Sequence, residues 1–217
     1  MIGFYNYTVI LTYLGTVSGF VGLTFAFNDN PLAALICLIF AGLCDMFDGK
    51  VASTKKRTQK EKRFGIQIDS LSDVICFGVL PAAIVYQAAD KALWAIPVCA
   101  FYMLCALIRL AFYNVDEEDR QEEEGDEARK VYLGLPVTSS ALLIPLFMGL
   151  GALLNIHNWI NLPMNILSAC FLGLVAIAFI TPFHLKKPGP VGKLLMLVFG
   201  TIILAIVVYA LMGVLKK

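Results

Sequence analysis

Long apolar runs separated by short polar segments dominate the chain, and this pattern constrains the fold more than any other feature of the sequence. Each run approaches the ~20 residues that an α-helix needs to cross the hydrocarbon core of a bilayer. The runs lack the alternation typical of strands, so helices are predicted to satisfy the backbone hydrogen bonds within lipid. Seven runs can be delimited: Thr8–Phe27, Pro31–Lys50, Ile66–Ala88, Leu93–Tyr113, Pro136–Leu154, Met164–Pro182 and Lys193–Leu215.

The composition agrees with a membrane protein. Hydrophobic residues make up 59% of the 217 residues and charged residues only 15%, and the mean hydropathy is +0.78, far above that of a soluble domain. So short a chain could not bury that much apolar surface in a soluble core. No internal repeat or low-complexity linker divides residues 1–217. We therefore predict a single domain, an all-α polytopic transmembrane bundle of about seven spans, with six to eight as the range.

Lys and Arg placement predicts the orientation in the membrane. If the segment Ser53–Arg63 is cytoplasmic, strict alternation of spans also places Asn114–Leu135 and Phe183–Gly192 in the cytoplasm. These segments and the adjacent Lys193 hold twelve of the seventeen Lys and Arg residues. The positive-inside rule then predicts a multi-pass protein of the cell membrane with a cytoplasmic N-terminus. The net charge of +1 by itself argues nothing about nucleic acid, but the sequence lacks a basic stripe on a soluble domain, so no nucleic-acid partner is predicted.

Four aspartates lie where a membrane protein should avoid negative charge. Asp45 and Asp48 close the second run, and Asp69 and Asp73 open the third. An ionised carboxylate near hydrocarbon costs several kcal/mol unless it is paired, hydrated or bound to a cation. A role as helix caps would suit Asp69 and Asp73, because negative charge is favoured near a helix N-terminus. It does not suit the other two, which lie near a helix C-terminus, so a bound cation is predicted.

The spacing of these residues predicts a shared cleft. On the second run, one helical face carries four residues at positions i, i+3, i+4 and i+7: Asp45, Asp48, Gly49 and Ala52. On the third run, the positions i, i+4 and i+8 hold Gly65, Asp69 and Asp73. Two facing helices would present four carboxylates to a cleft flanked by small residues. Such oxygen ligands suit magnesium, manganese or calcium and a phosphorylated substrate, since two divalent ions can neutralise a diphosphate.

The two stretches Asp45-x-x-Asp48-Gly49-x-x-Ala52 and Gly65-x-x-x-Asp69-x-x-x-Asp73 together resemble the signature of the CDP-alcohol phosphatidyltransferase family. The similarity covers roughly the first 145 residues. Three further stretches resemble family members whose acceptor is serine: Phe64–Ala82, Arg109–Asn114 and Gly134–Pro136. The resemblance implies a cytoplasm-facing active-site cleft and transfer of a phosphatidyl group from CDP-diacylglycerol to L-serine, giving phosphatidylserine and CMP. It also implies a homodimer.

The resemblance further implies roles for individual residues. Two divalent cations, Mg²⁺ or Mn²⁺, would be held by Asp45, Asp48, Asp69 and Asp73. Asp73 would also be the general base that takes the proton of the acceptor hydroxyl. Three small residues would let the nucleotide approach the helix backbone or flank the site: Gly49, Ala52 and Gly65.

The sequence departs from the family pattern after Ala52. Ser53 stands where the family usually has an arginine, and the segment between Ser53 and Gly65 is longer than in the common pattern. If the second helix continues past the membrane edge, Lys56 lies four residues after Ala52 and extends the aspartate face. Lys56 is therefore predicted to replace the missing arginine as a point charge on the diphosphate.

Two other basic residues have alternative interpretations. Arg109, in the cytoplasmic half of the fourth run, could reach the membrane surface along its apolar stem. It could instead bind a phosphate or the serine carboxylate through its planar guanidinium, which we favour. Lys130 could bind anionic substrate or belong to an ordinary loop.

Two alternative functions remain open at the sequence level. The same chemistry with glycerol 3-phosphate or an inositol phosphate should require additional basic residues in the cleft. Outside the loops these are few, mainly Lys50 and Arg109, which favours serine. A divalent-cation transporter should carry acidic or polar residues at mid-membrane depth in several helices, whereas the four carboxylates here are predicted at one cytoplasmic edge.

Overall fold

The computed structural model describes residues 3–124, 131–156, 163–186 and 189–214. Within them the chain is a helical bundle, and each of the seven apolar runs contains helix. The helices are α1 (Ile10–Phe27), α2 (Pro31–Ala52), α3 (Gln59–Asp73), α4 (Leu80–Ala88), α5 (Ala95–Glu124), α6 (Ser140–Ile156), α7 (Met164–Ile180) and α8 (Pro190–Val214). Short 3₁₀ turns, Tyr7–Val9 and Val137–Ser139, precede α1 and α6.

Five stretches of helix are long and apolar enough to cross a membrane in the part of the chain that is described. They are Tyr7–Phe27, Pro31–Ala52, Gln59–Ala88, Ala95–Asp119 and Val137–Asn155. Two shorter apolar helices, Met164–Ile180 and Val198–Tyr209, follow them. These findings confirm the predicted all-α, multi-pass membrane architecture. α7 is slightly shorter than the run predicted for it, Met164–Pro182, whereas α8 covers nearly all of Lys193–Leu215.

Two helices extend beyond the predicted apolar runs, and the extension of α2 considered for Lys56 is absent. α3 begins at Gln59 rather than Ile66, because Thr58 and Glu61 form a capping box in which each side chain accepts from the other residue's amide, at 3.3 and 2.9 Å. α5 continues to Glu124, well past the predicted end of the span at Tyr113. α2 ends at Ala52 and does not continue into the loop.

Apart from the helices and their connections, the described residues include a pair of three-residue strands. Strands β1 (Val131–Leu133) and β2 (His184–Lys186) are antiparallel. Gly134 follows β1 with φ +74°, which favours glycine, and its amide donates to the carbonyl of Phe183 at 2.7 Å. This ladder ties the segment before α6 to the segment after α7, and the sequence did not predict it.

A π-helical turn, Val74–Val79, joins α3 to α4 in one continuous helix. Pro81 explains the irregularity, because it has no amide hydrogen for the carbonyl of Phe77 four residues earlier. The Tyr102 hydroxyl donates to that carbonyl at 2.8 Å, and the Ser140 hydroxyl donates to it at 3.4 Å. Side chains from α5 and α6 thus satisfy a backbone group that could not remain unpaired within the membrane.

Polar contacts distinguish the two ends of the bundle. At one end, the Lys91 ammonium lies 3.7 Å from the Asp29 carboxylate and links the α4–α5 and α1–α2 connections. At the other end, the Asn6 amide donates to Glu61 at 3.1 Å. This second contact places the segment before α1 beside the beginning of α3, at the end where the four aspartates lie.

Candidate active site

The four aspartates meet in one cleft. α2 supplies Asp45 and Asp48, and α3 supplies Asp69 and Asp73, as the spacing on each helix predicts. The facing wall comes from α1 and from the π-helical turn. The described residues that line the cleft are Leu11, Thr12, Gly15, Ala41, Cys44, Asp45, Asp48, Asp69, Ser72, Asp73, Cys76 and Phe77.

Three of the carboxylates are close enough to share an ion. One oxygen from each of Asp45, Asp48 and Asp69 lies within 4.8 Å of the others. Because magnesium and manganese bind oxygen at about 2.0–2.2 Å, two ligands of one ion are separated by at most about 4.5 Å. The spacing is close to that range, and an all-carboxylate donor set suits these hard ions. The cluster could therefore hold a divalent metal, as the sequence predicts.

Asp73 lies one helical turn beyond Asp69 and lines the same cleft. Its side chain is only 8% exposed, so it is the most enclosed of the four aspartates. The π-helical turn begins at the next residue, Val74, and such turns are frequent at functional sites. Asp73 is therefore held at the inner wall of the cleft.

Helix α1 contributes polar side chains that the sequence analysis missed. The Thr12 hydroxyl donates to Asp48 at 3.4 Å, and the Thr16 hydroxyl donates to Ser72 at 2.7 Å. The two threonines are one helical turn apart, so α1 presents a polar face to α2 and α3 at the cleft. Two threonines at this spacing, in the helix that precedes the two aspartate-bearing helices, are the signal that could have revealed them.

No Lys, Arg or His lines the cleft in the described part of the chain. The described lining of the cleft therefore supplies no positive charge to offset the carboxylates. Burying like charges together in a low-dielectric environment is unfavourable unless positive charge is supplied. A bound ligand would therefore have to supply the positive charge.

The small residues at the mouth of the cleft have different surroundings. Gly49 is exposed, and a β-carbon at this position would have no atom within 4 Å. Ala52 is the last residue of α2. A β-carbon at Gly65 would lie 3.2 Å from Nη1 of Arg57. Open space thus adjoins α2, whereas a guanidinium covers the corresponding glycine of α3.

The interpretation of Lys56 depended on a longer α2 and loses its basis. The amide of Ser53 donates to the carbonyl of Gly49 at 3.1 Å, and the Ser53 hydroxyl donates to Lys50 at 2.7 Å, which closes the helix. Lys56 follows in the loop and is exposed. It therefore does not extend the aspartate face as a fifth helical position.

Arg109 is buried on α5 and is only 7% exposed. Its guanidinium carbon lies 5.4 Å from the ring centroid of Tyr113, and its Nε would be 3.6 Å from a β-carbon at Gly134. This burial contradicts the interpretation of a side chain that reaches the membrane surface. Arg109 is not among the residues that line the carboxylate cleft. Lys130 lies outside the described residues.

A comparison with known protein families now bears on this site. The model of the CDP-alcohol phosphatidyltransferase family matches residues 5–172, a range that contains all four aspartates and the two helices that carry them. The chain belongs to the CDP-alcohol phosphatidyltransferase family. The resemblance found in the sequence is confirmed, and membership of a transferase family disfavours the alternative of a divalent-cation transporter.

Similar members of the CDP-alcohol phosphatidyltransferase family carry serine in their names. A CDP-diacylglycerol–serine O-phosphatidyltransferase of Methanocaldococcus jannaschii is 30% identical over 184 residues, which are 79% of this chain and 78% of that protein. The protein of the same name from Mycobacterium tuberculosis H37Rv is 31% identical over 134 residues, 61% of this chain and 45% of the relative. An archaetidylserine synthase of Methanothermobacter thermautotrophicus is 34% identical over 139 residues, 64% and 55% of the two chains. The chain thus spans about half the length of two of these relatives.

Proposed function

We propose that this chain transfers a phosphatidyl group from CDP-diacylglycerol to L-serine, giving phosphatidylserine and CMP. The observation that carries the proposal is the convergence of four carboxylates from α2 and α3 in one cleft. The family model covers that cleft, and relatives named for serine transfer support the choice of acceptor. The name of the archaetidylserine synthase likewise points to serine, with a different lipid.

The carboxylates would divide the work between metal binding and proton transfer. Asp45, Asp48 and Asp69 would hold the divalent cations, Mg²⁺ or Mn²⁺ and two in number, with Asp73 touching the second. When bound, such ions supply positive charge that neutralises a diphosphate and stabilises displacement at phosphorus. The oxygen spacing within the cluster supports this assignment for the first three residues.

Asp73 would act as the general base. Its carboxylate would accept the proton of the serine hydroxyl as the serine oxygen attacks the phosphorus that carries diacylglycerol. The bond from that phosphorus to the CMP oxygen breaks, CMP departs, and the proton passes from Asp73 to water. The enclosed position of Asp73 supports this role, because a base must be held in place relative to the hydroxyl.

The charge of the cleft favours serine over a phosphorylated acceptor. Glycerol 3-phosphate and inositol phosphate would each bring an additional phosphate to a site whose described lining has no basic side chain. Serine is neutral overall and adds no net charge. Its carboxylate would still need a partner, and the buried Arg109 would supply it if the occupied site brings the two together. Gly49 and Ala52 would let the nucleotide approach the end of α2, where Gly49 borders open space.

The test is an acceptor panel with purified protein in mixed micelles. CDP-diacylglycerol and Mn²⁺ would be combined with serine, glycerol 3-phosphate or inositol phosphate, and the released CMP and the lipid product would be measured. Of the three acceptors, we expect only serine to support the release of CMP. We expect no release in the presence of a chelator. Faster release with another acceptor would move the protein to a different branch of the family, and no release with any acceptor would reject the proposal.

We also propose that the protein resides in the cell membrane with the segment before α1 and the cleft facing the cytoplasm. Single cysteines at Lys60, in the first turn of the helical stretch Gln59–Ala88, and at Asp90, after its end, would be introduced into a cysteine-free background. An impermeant thiol reagent should reach Lys60→Cys only from the cytoplasm and Asp90→Cys only from outside. Labelling of both from one side would refute this topology.

A homodimer is the proposed assembly, and it follows from the family rather than from a contact in this structure. The mass of the purified protein, corrected for bound detergent, would measure it. We expect twice the 23.8 kDa of one chain, and a monomeric mass for a fully active preparation would reject the dimer.

A further inference from the structure

The loop between α2 and α3 presents three consecutive basic residues with different surroundings. The Lys55 ammonium lies 3.1 Å from the Glu61 carboxylate, so it is already paired. Lys56 is exposed. Arg57 is half-buried, although it comes from the same short loop. Lys55 is half-buried as well, so the fold turns Lys55 and Arg57 toward α3 and leaves Lys56, between them, exposed.

Arg57 points to the face of α3 that carries the aspartates. Its Nη1 lies where a β-carbon at Gly65 would approach within 3.2 Å, so the absence of a side chain at Gly65 makes room for the guanidinium. Gly65, Asp69 and Asp73 are each four residues apart and share one face of α3. The guanidinium therefore lies about one helical turn, roughly 5–6 Å, on the loop side of Asp69.

The Arg57 guanidinium therefore lies next to the acidic cleft and does not fill it. Among the described residues, no carboxylate lies within 4.0 Å of the Arg57 guanidinium. A guanidinium that already lies against the protein loses less side-chain freedom when it binds than a fully exposed lysine does. Its planar donors match two oxygens of one phosphate group.

We infer that Arg57 binds a phosphate of the CDP group of the lipid substrate, in the place of the arginine that the sequence lacks at Ser53. The inference rests on the proposed function, since it requires a CDP-linked substrate. The carboxylate cluster would hold the diphosphate through its metal ions, and Arg57 would hold it from the side of the loop. Gly65 then has a specific role, because a side chain there would displace the guanidinium.

Binding of soluble nucleotide tests the inference apart from catalysis. CDP would be titrated calorimetrically into the purified full-length chain with Mn²⁺ present, for the wild-type protein, Arg57→Gln and the matched control Lys56→Gln. The loss of a charge-assisted hydrogen-bond pair should weaken CDP binding about tenfold or more in Arg57→Gln. Lys56→Gln should change the dissociation constant by less than about twofold, as expected of an exposed charge.

Kinetics supply the second readout. Arg57→Gln should raise the KM for CDP-diacylglycerol about tenfold and leave the KM for serine unchanged, whereas general damage to the fold would alter both. If Arg57→Gln does not yield monodisperse protein, Arg57→Lys takes its place. It keeps the charge but not the planar fork and should weaken CDP binding about threefold.

The outcomes separate this inference from the proposed function. A wild-type protein that neither binds CDP nor releases CMP would reject the proposed function. A wild-type protein that does both, with Arg57 variants that match Lys56→Gln, would overturn the role of Arg57 alone. Anionic vesicles without CDP-lipid distinguish the other source of phosphate: weaker vesicle binding by Arg57→Gln with unchanged CDP binding would assign Arg57 to bilayer headgroups and overturn the inference.

Discussion

Two polar regions lie one helical turn apart on the α3–α4 helix, and they differ in whether the protein itself supplies their partners. The carbonyl of Phe77 accepts hydrogen bonds from Tyr102 and Ser140, so side chains of the protein satisfy its hydrogen-bonding capacity. Four residues earlier, Asp73 belongs to a cleft of four carboxylates whose described lining offers no cation. In a membrane, a polar group that the protein satisfies is structural, whereas like charges that it does not neutralise require a ligand.

The largest effect should follow from Asp69→Asn in the cleft. Loss of one carboxylate ligand should lower the rate of CMP release by about 100-fold or more, the range found when one stabilising group of an active site is removed. Because the substitution also removes repulsion between like charges, the Tm without metal should stay the same or rise. Release assays and thermal melts in chelator measure the two effects. A lower Tm together with full activity would make the cluster structural.

The opposite pattern, a loss of stability, is expected when the carbonyl of Phe77 loses a hydrogen-bond donor. Tyr102→Phe removes the hydroxyl that serves Phe77 and should lower the free energy of unfolding by about 2 kcal/mol, since a buried carbonyl loses its better donor. The matched control is Tyr86→Phe, whose hydroxyl bonds the carbonyl of Lys91 in an exposed contact and should cost less than about 0.5 kcal/mol. Thermal melts compare the variants. Equal melting temperatures would remove the structural role of the Tyr102 hydroxyl.

The smallest effect tests a residue that borders the cleft. Thr12→Val removes the hydroxyl that donates to Asp48 at 3.4 Å and keeps the shape of the side chain. We expect a fall in kcat of about fivefold, equivalent to about 1 kcal/mol, with little change in Tm. Thr24→Val on the same helix is the control. Among the described residues its hydroxyl donates to the carbonyl of Val21 alone, so the substitution should leave kcat unchanged. Similar kcat values for both variants would deny Thr12 a part in positioning Asp48.

The helices and the carboxylate cluster could be predicted because their signals are local. Hydropathy over about 20 residues predicts a span, and the spacing from Asp45 to Asp48 and from Asp69 to Asp73 places each pair on one helical face. The meeting of the two faces then needed only that α2 and α3 are neighbours along the chain.

Helix ends were harder to predict, because hydropathy excludes charged residues that are nonetheless helical. The basic residues at the start of α3 fall outside an apolar window, although the capping box of Thr58 and Glu61 was visible in the sequence. The end of α2 depends on backbone hydrogen bonds around Ser53, and the apolar pattern does not encode them.

Long-range contacts could not be predicted from spacing. The approach of Arg57 to Gly65 depends on the path of an irregular loop, and the contact of Thr12 with Asp48 joins residues 36 positions apart. The pairing of β1 with β2 likewise joins segments separated by two helices. Single-sequence periodicity carries no information on which residues of different elements meet.

Direct measurement of Mn²⁺ binding, followed by electron paramagnetic resonance during titration of the purified protein, tests the central claim that the cleft is incomplete without cations. The account predicts saturable binding of two ions to each wild-type chain and loss of at least one of them in Asp69→Asn. The matched control Asp29→Asn, at the opposite end of the bundle, should bind like the wild type. Equal binding by all three proteins, or no binding by any, would contradict the account.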